Sequence, residues 1–320
     1  MTYTIDATGI GKSFGDQQVL VDVDLAVRSG TVFALLGPNG AGKTTMIRIL
    51  ATLVRPDAGS ASVAGHDVLA DPVAVKRSIS LTGQYAAIDE VLSGRENLEM
   101  MARLLHLPRR SVRERAAELL AEFDLVEAAD RRAGSYSGGM RRRLDLAVSM
   151  IRRPQLLFLD EPTTGLDPRS REQLWAAVRR FVDQGVTVLL TTQYLEEADQ
   201  LADEIAMLDR GRIAARGTPD DLKASLGGEV VRLQFADEAC YRAALSCLRP
   251  DRVDDPLLSI DVATDGSASQ VLSMLERLVE RGAPASRVST FRPSLDDVFL
   301  TLTAESRTAE SRAQHEEAVR

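Results

Sequence analysis

The sequence predicts an α/β protein, a parallel-stranded domain followed by a small α+β domain, and three observations lead there. A wholly apolar run, Val32-Phe33-Ala34-Leu35-Leu36, passes into a glycine-rich turn and then a helix beginning near Lys43. After residue 137, helical and extended patterns alternate, the rhythm of a parallel sheet covered on both faces. Past Gly227-Gly228 a second, shorter succession of strands and helices begins.

The elements follow in order. Tyr3, Ile5 and Ala7, then Val23, Leu25 and Val27, are apolar at every second position, which predicts two antiparallel strands with those side chains inward. Val32–Leu36 reads as a buried strand. Residues 95–130 read as mostly helical, with Leu98, Met101, Leu104 and Leu105 on one apolar face and Leu119, Leu120 and Phe123 on another. A helix to about Arg152, a strand at 156–159, a helix at 168–184 and strands at 186–190 and 205–208 complete the larger domain. The smaller one reads as strand 230–235, helix 238–248, strand 257–262, helix 268–281, strand 287–291 and a short helix 295–302. The remaining tail has mixed charge and no apolar period, so a disordered or frayed end is expected.

Composition narrows the class. Hydrophobic and charged fractions of 44% and 27% are those of an ordinary globular protein. The net charge of −8 gives no whole-chain basic footprint, so no nucleic acid is expected as a partner. The longest apolar stretches, such as Val186–Leu190, are far too short to span a bilayer, and the first residues lack the pattern of a signal peptide. Cys240 and Cys247 fit no common metal spacing and read as reduced thiols of a cytosolic protein. Only four of the 39 basic residues are lysine, yet one stands at position 43. A compact ammonium and a planar guanidinium are not interchangeable where space is tight.

Gly37-Pro38-Asn39-Gly40-Ala41-Gly42-Lys43-Thr44 fits the phosphate-loop pattern, after a buried strand and before a helix. Its glycines let backbone N–H groups turn inward around phosphates, and the helix N-terminus adds partial positive charge. Lys43 would neutralise the β- and γ-phosphates of ATP, and Thr44 would ligate Mg2+. Leu156-Leu157-Phe158-Leu159-Asp160-Glu161 is a buried strand ending in two carboxylates, where open α/β sheets bind ligands. Asp160 suits Mg2+, and Glu161 is placed to take a proton from a water aimed at the γ-phosphate. Ser137-Gly138-Gly139 opens a helix and offers a second anion site, although such a triplet alone is commonly a helix cap.

Together with its place between the phosphate loop and Asp160, that triplet resembles the signature motif of the ABC (ATP-binding cassette) superfamily. The resemblance extends to Gln84 after an apolar strand and to Gly165-Leu166-Asp167, and covers residues 1–226. It implies a P-loop ABC nucleotide-binding domain, a mixed sheet with a helical subdomain, that binds ATP and Mg2+. It adds Phe14 as the ring that stacks on the nucleotide, although by itself Phe14 reads equally as core. It also adds Thr45, Gln84, Ser137, Gly138, Gly139 and Asp167 to the ATP-binding set, and Gln84 to Thr44 and Asp160 as metal ligands. Two copies would pair head to tail, so that Ser137 of one faces the γ-phosphate held by the other. One residue departs from the superfamily: Gln193 stands where a histidine is usual. An amide can donate to a γ-phosphate oxygen but cannot hold a charge. Glu161, Lys43 and Gln193 are then the expected catalytic residues.

Residues 191–199 (TTQYLEEAD), 138–143 (GGMRRR) and 292–300 (RPSLDDVFL) resemble the daunorubicin/doxorubicin-resistance ATPase family, extending the match to about Leu302. That resemblance spans the ATP-binding domain, 1–226, and the accessory α+β domain, 229–303, that Gly227-Gly228 divides, and leaves a tail over 304–320. It also implies a peripheral protein at the cytoplasmic face of the membrane that energises efflux through a separately encoded polytopic permease. A soluble cassette acting on ribosomes or DNA is the alternative, but such chains usually carry two nucleotide motifs or a long coiled coil. A regulatory ATP-binding module with little turnover is a third reading, suggested by Gln193. The basic clusters Arg109–Arg113 and Arg141–Arg143 read as solvated helix faces rather than lipid or RNA patches, because acids such as Glu114, Glu118 and Asp145 interleave.

Overall fold

The N-terminal alternation folds as two 12-residue antiparallel strands, β1 (Tyr3–Phe14) and β2 (Gln17–Arg28). Ile5, Ala7, Val23, Leu25 and Val27 point inward as the period requires, but Tyr3 is 48% exposed. The pairing with β2 slips between Tyr3 and Ile5, and this irregularity puts Tyr3 out of phase with the rest of the strand. Thr4 is buried instead, with its hydroxyl bonded to Ser29 Oγ at 2.8 Å and Thr187 Oγ1 at 3.0 Å.

The computed structural model describes residues 2–83, 88–225, 229–291 and 294–301. Two compact units divide it, Met1–Thr218 and Pro219–Arg320. In the first unit, β3 (Val32–Leu36) is buried throughout, and β4 (Ala58–Val63) with β5 (His66–Asp67) joins β1 in a sheet of order β2-β1-β4-β5. A second sheet runs β10-β9-β3-β8-β7-β6, using β6 (Ile79–Thr82), β7 (Leu156–Asp160), β8 (Thr187–Thr192), β9 (Glu204–Asp209) and β10 (Arg212–Gly217). Pairing is parallel from β9 to β6, and β10 closes the edge antiparallel. One core, including Ile5, Leu25, Phe33, Ile47, Leu50, Phe158 and Leu189, joins strands of both sheets to helix α1 (Lys43–Leu50).

The short helix α2 (Pro72–Ser78) precedes β6. Three helices then follow: α3 (Gly94–Leu104), α4 (Arg109–Glu122) and, after two 3₁₀ turns, α5 (Gly138–Ser149). A capping box starts α3: Ser93 Oγ accepts from Glu96 N at 3.2 Å, and Glu96 accepts from Ser93 N at 2.8 Å. Leu98 is buried, but Leu104 is 63% exposed. At about 100° per residue it lies about 120° round the helix from Leu98, off the face that Leu98, Met101 and Leu105 share. The two basic clusters also part company. Arg109, Arg110 and Arg113 are exposed, whereas Arg142 is 8% exposed, so Arg141–Arg143 is not the solvated face its composition suggests. Helices α6 (Pro168–Asp183) and α7 (Leu195–Leu201) alternate with β7, β8 and β9.

In the second unit, α8 (Pro219–Ala224) leads into an antiparallel sheet of order β12-β13-β11-β14. Its strands are β11 (Glu229–Gln234), β12 (Arg252–Asp254), β13 (Ser259–Thr264) and β14 (Arg287–Phe291). Helices α9 (Glu238–Cys247) and α10 (Ala268–Glu280) contribute Tyr241, Ala244, Met274 and Leu278 to a core with Val231, Leu233 and Ile260. Cys240 and Cys247 are free thiols. Residues 295–301 are helical, and the tail read as disordered lies outside the described residues. Among the described residues no helix is long and apolar enough to cross a membrane.

Candidate functional site

The site begins where β3 ends. Residues 37–42 turn back over the strand and α1 starts at Lys43, so the first N–H groups of α1 have no partner within the helix. Gly42 cannot be another residue without strain: its φ is 110°, and a Cβ there would lie 2.7 Å from Leu20 Cδ2 and 2.8 Å from Val19 O. Asn39 and Gly40 are exposed, Pro38, Thr44 and Thr45 half-buried, and Gly37, Ala41 and Gly42 buried. Lys43 is 4% exposed. Its Nζ donates to Gly37 O at 2.8 Å and Pro38 O at 3.1 Å, and lies 3.6 Å from Glu161 Oε1. Burial pulls the Lys43 pKa below its ordinary value, while Glu161 and then Asp160 resist that shift.

Parallel pairing of β7 with β8 sets Asp160 opposite Thr191. Asp160 Oδ1 accepts from Thr191 Oγ1 at 2.6 Å and from Thr44 Oγ1 at 3.1 Å. A buried carboxylate beside a threonine hydroxyl is a hard oxygen donor set that fits Mg2+. Glu161, the next residue, has left-handed backbone at φ 49°. For a residue with a long side chain this conformation is uncommon, and such outliers gather at functional sites. Two bonds hold it there, from Glu161 N to Thr191 O at 3.1 Å and to Thr191 Oγ1 at 3.2 Å. Lys43, Thr44, Asp160, Glu161 and Thr191 thus form one connected cluster at the C-terminal ends of β3, β7 and β8.

The other expected residues lie in separate places. Ser137 caps α5 by accepting from Met140 N at 3.2 Å, and it and Gly138 are exposed. Gly139 is buried, and a Cβ on it would meet Ser170 Oγ at 2.3 Å, so α5 and α6 touch through a position with no room for a side chain. Asp167 caps α6, accepting from Ser170 N at 3.0 Å and Ser170 Oγ at 2.6 Å, and these bonds lower its pKa. Gln193 is half-buried just past β8. Phe14, at the end of β1, is 52% exposed and so is not core. Lys12 Nζ lies 5.3 Å from its ring centre. Gln84 lies outside the described residues. A cleft of about 440 Å3 is lined by Gly138, Arg141, Arg142, Glu161, Thr164 and neighbouring residues, so the start of α5 and the Glu161 segment share one space.

Sequence reasoning passed over Thr191, whose hydroxyl meets both Asp160 and Glu161 N. Only the order and register of β7 and β8 single it out. It also passed over Arg142, whose burial a polar helix stretch conceals.

An ABC transporter family model matches residues 20–164. The chain is 51% identical over 306 residues to a daunorubicin resistance ATP-binding protein of Streptomyces coeruleorubidus, covering 94% of this chain and 95% of that one. It is 47% identical to a doxorubicin resistance ATP-binding protein of Mycobacterium tuberculosis, over 93% and 92% of the two chains. It is 39% identical to a Nod factor export ATP-binding protein I of a Rhizobium species, over 93% and 96%. Among solved structures, an ATP-binding subunit of an ABC transporter superposes with a TM-score of 0.62 at 29% identity, over 70% of this chain and 93% of that one. The phosphate-loop cluster and these full-length likenesses lead to one conclusion: the chain belongs to the ATP-binding subunits of ABC transporters, in the daunorubicin/doxorubicin-resistance family.

Proposed function

We propose that this chain powers the export of an antibiotic or comparable amphiphile through a separate membrane-embedded permease, working as a head-to-tail pair at the cytoplasmic face of the membrane. ATP hydrolysis coupled to transport is the activity of the family. The observation that carries the reading for this chain is the cluster in which Lys43, Thr44, Asp160 and Glu161 meet. Backbone N–H groups of residues 39–45 and the Lys43 ammonium bind the phosphates. Thr44 and Asp160 hold Mg2+, with Gln84 as a further ligand, and the ion neutralises phosphate charge when bound. Glu161 accepts a proton from the attacking water. Gln193 donates its amide to a γ-phosphate oxygen, and Phe14 stacks on the base. With one phosphate loop and one signature helix per chain, exposed Ser137 and Gly138 complete the site of a second copy, beside Asp167. The relatives described above are named for resistance and export, which favours a transporter over a soluble cassette acting on ribosomes.

The decisive experiment purifies the tagged chain from its native membranes and measures ATPase activity with and without an anthracycline. A co-purifying polytopic membrane protein and drug-stimulated turnover are expected. Full recovery of the chain with ribosomes, and turnover indifferent to any membrane fraction, would overturn the reading.

A further inference from the structure

Arg142, five residues beyond Ser137 on α5, is nearly buried, yet its two shortest hydrogen bonds do not go to an acid. Nε donates to Pro162 O at 2.9 Å and Nη1 to Gly83 O at 2.8 Å, and only a longer contact of 3.3 Å reaches Asp145 Oδ2 on the same helix. Pro162 immediately follows Glu161, and Gly83 immediately precedes Gln84. One guanidinium therefore clasps the backbone beside the expected base, the backbone beside an expected metal ligand, and the helix that carries the signature.

The surroundings mark this as more than a salt bridge. A single ion pair within a helix, such as Arg142 with Asp145, needs no carbonyl from another segment. A planar fork reaches two carbonyls with two separate nitrogens in fixed directions, whereas a lysine ammonium offers its donors from one nitrogen on a flexible stem. Glu197 on α7, 1% exposed, supplies a second buried carboxylate close enough to stabilise the Arg142 charge, and Trp175 Nε1 donates to its Oε1 at 3.3 Å. Burial pushes the Glu197 pKa up against the pull of Thr192, Thr163, Trp175 and Arg142. Helix α7 begins two residues after Gln193. The buried group thus touches the segments beside Glu161 and Gln84 and interacts with the helix that follows Gln193.

We infer that Arg142 is a positioning residue for hydrolysis, setting the backbone next to Glu161 through Pro162 O and the backbone next to Gln84 through Gly83 O and tying both to the signature helix. This rests on the reading of Glu161 as the base. If position is what Arg142 supplies, removing its fork harms turnover while nucleotide binding, which depends on the phosphate loop, survives.

The test uses the full chain with its membrane partner and measures kcat, KM, nucleotide Kd by fluorescence titration, and melting temperature. Arg142→Lys keeps the charge but replaces the two separate donor nitrogens with one on a shorter, flexible stem, so the separation the fork sets between the two carbonyls is lost. Its kcat is expected to fall roughly tenfold or more, with Kd and melting temperature little changed. Glu197→Gln leaves the fork and both carbonyls in place, so its kcat is expected within about twofold of wild type even where its melting temperature moves. An Arg142→Lys kcat within twofold of wild type overturns the proposal, as does a proportional loss of kcat, affinity and stability. If Arg142→Lys fails to fold, Glu197→Gln still decides: a large kcat loss there means that charge balance, not carbonyl anchoring, sets the rate. Glu161→Gln serves as the reference. Normal hydrolysis in that variant removes the base assignment, whereas an inactive Glu161→Gln beside a fully active Arg142→Lys removes only the role of Arg142.

Discussion

Thr191 offers the sharpest test of the cluster, because a single hydroxyl serves two groups. Replacing it with valine keeps the shape and the β-branch suited to β8, but removes the 2.6 Å donor to Asp160 Oδ1 and the 3.2 Å acceptor for Glu161 N. Glu161 N keeps Thr191 O at 3.1 Å, so the backbone turn survives. Asp160 keeps Thr44 at 3.1 Å but loses its shorter partner while only 6% exposed. A hydrogen bond to a charged group contributes about 1.5–3 kcal/mol. If all of it is lost at the transition state, turnover falls roughly 10- to 150-fold. Steady-state ATPase across a Mg2+ titration reads this directly, with the valine variant needing more Mg2+ and reaching a lower plateau. Thr191→Ser restores the hydroxyl and should recover most of the activity. A valine variant within twofold of wild type at all Mg2+ levels would refute the idea that Thr191 orients Asp160.

Three further outcomes are expected. Glu161→Gln should lower turnover roughly 10²- to 10⁴-fold, the scale of general-base loss, while equilibrium nucleotide binding persists; near-normal hydrolysis would remove Glu161 from the chemistry. Gln193→Ala should cost roughly 10- to 150-fold, whereas Gln193→His should stay active and acquire a new dependence on pH near ~6.5, since only the imidazole titrates there; a fully active alanine form would make position 193 a bystander. Mixing Lys43→Ala with Ser137→Ala chains should return part of the ATPase activity, because one composite site in each mixed pair is intact; no recovery in verified mixed pairs would show that Ser137 does not act across the dimer or that both sites must fire together.

The parts of this protein legible in its sequence are those where chemistry and local structure coincide in one short segment. A phosphate loop needs a buried strand, close-packed glycines and a lysine in succession, so residues 32–44 announce themselves, and β3 and α1 stand where that pattern puts them. The strand ending in Asp160 and Glu161 is legible for the same reason. What escaped depends on neighbours distant in the chain. Thr191 acquires its role only from the register of β8 against β7. Strand β5 is two residues long, too short to carry a period. Arg142 stands in a run of three arginines that looks solvated, and burial by the Pro162 and Gly83 segments is invisible from composition. Tyr3 obeys the alternation on paper, and a slip in pairing with β2 turns it outward.

The edge of the first sheet near Phe14 has a consequence for how fast and how cheaply a planar ligand is captured. Asp57 receives Lys12 Nζ at 2.7 Å and Ser13 N at 2.7 Å, while Lys12 also lies over the Phe14 ring. The two residues before Phe14 are therefore tethered to the turn beyond α1 before any ligand arrives. Immobilising a free side chain costs about 0.5–1.5 kcal/mol, and here much of that ordering is completed during folding rather than at the encounter. Lys12 and Ser13 depress the Asp57 pKa, so the tether is intact above the ordinary carboxylate range and is lost only as pH falls through that lowered value. Under the proposed role of Phe14 as the ring that stacks on the base, the platform is set in advance across neutral pH, and binding to it should be governed by stacking rather than by loop closure.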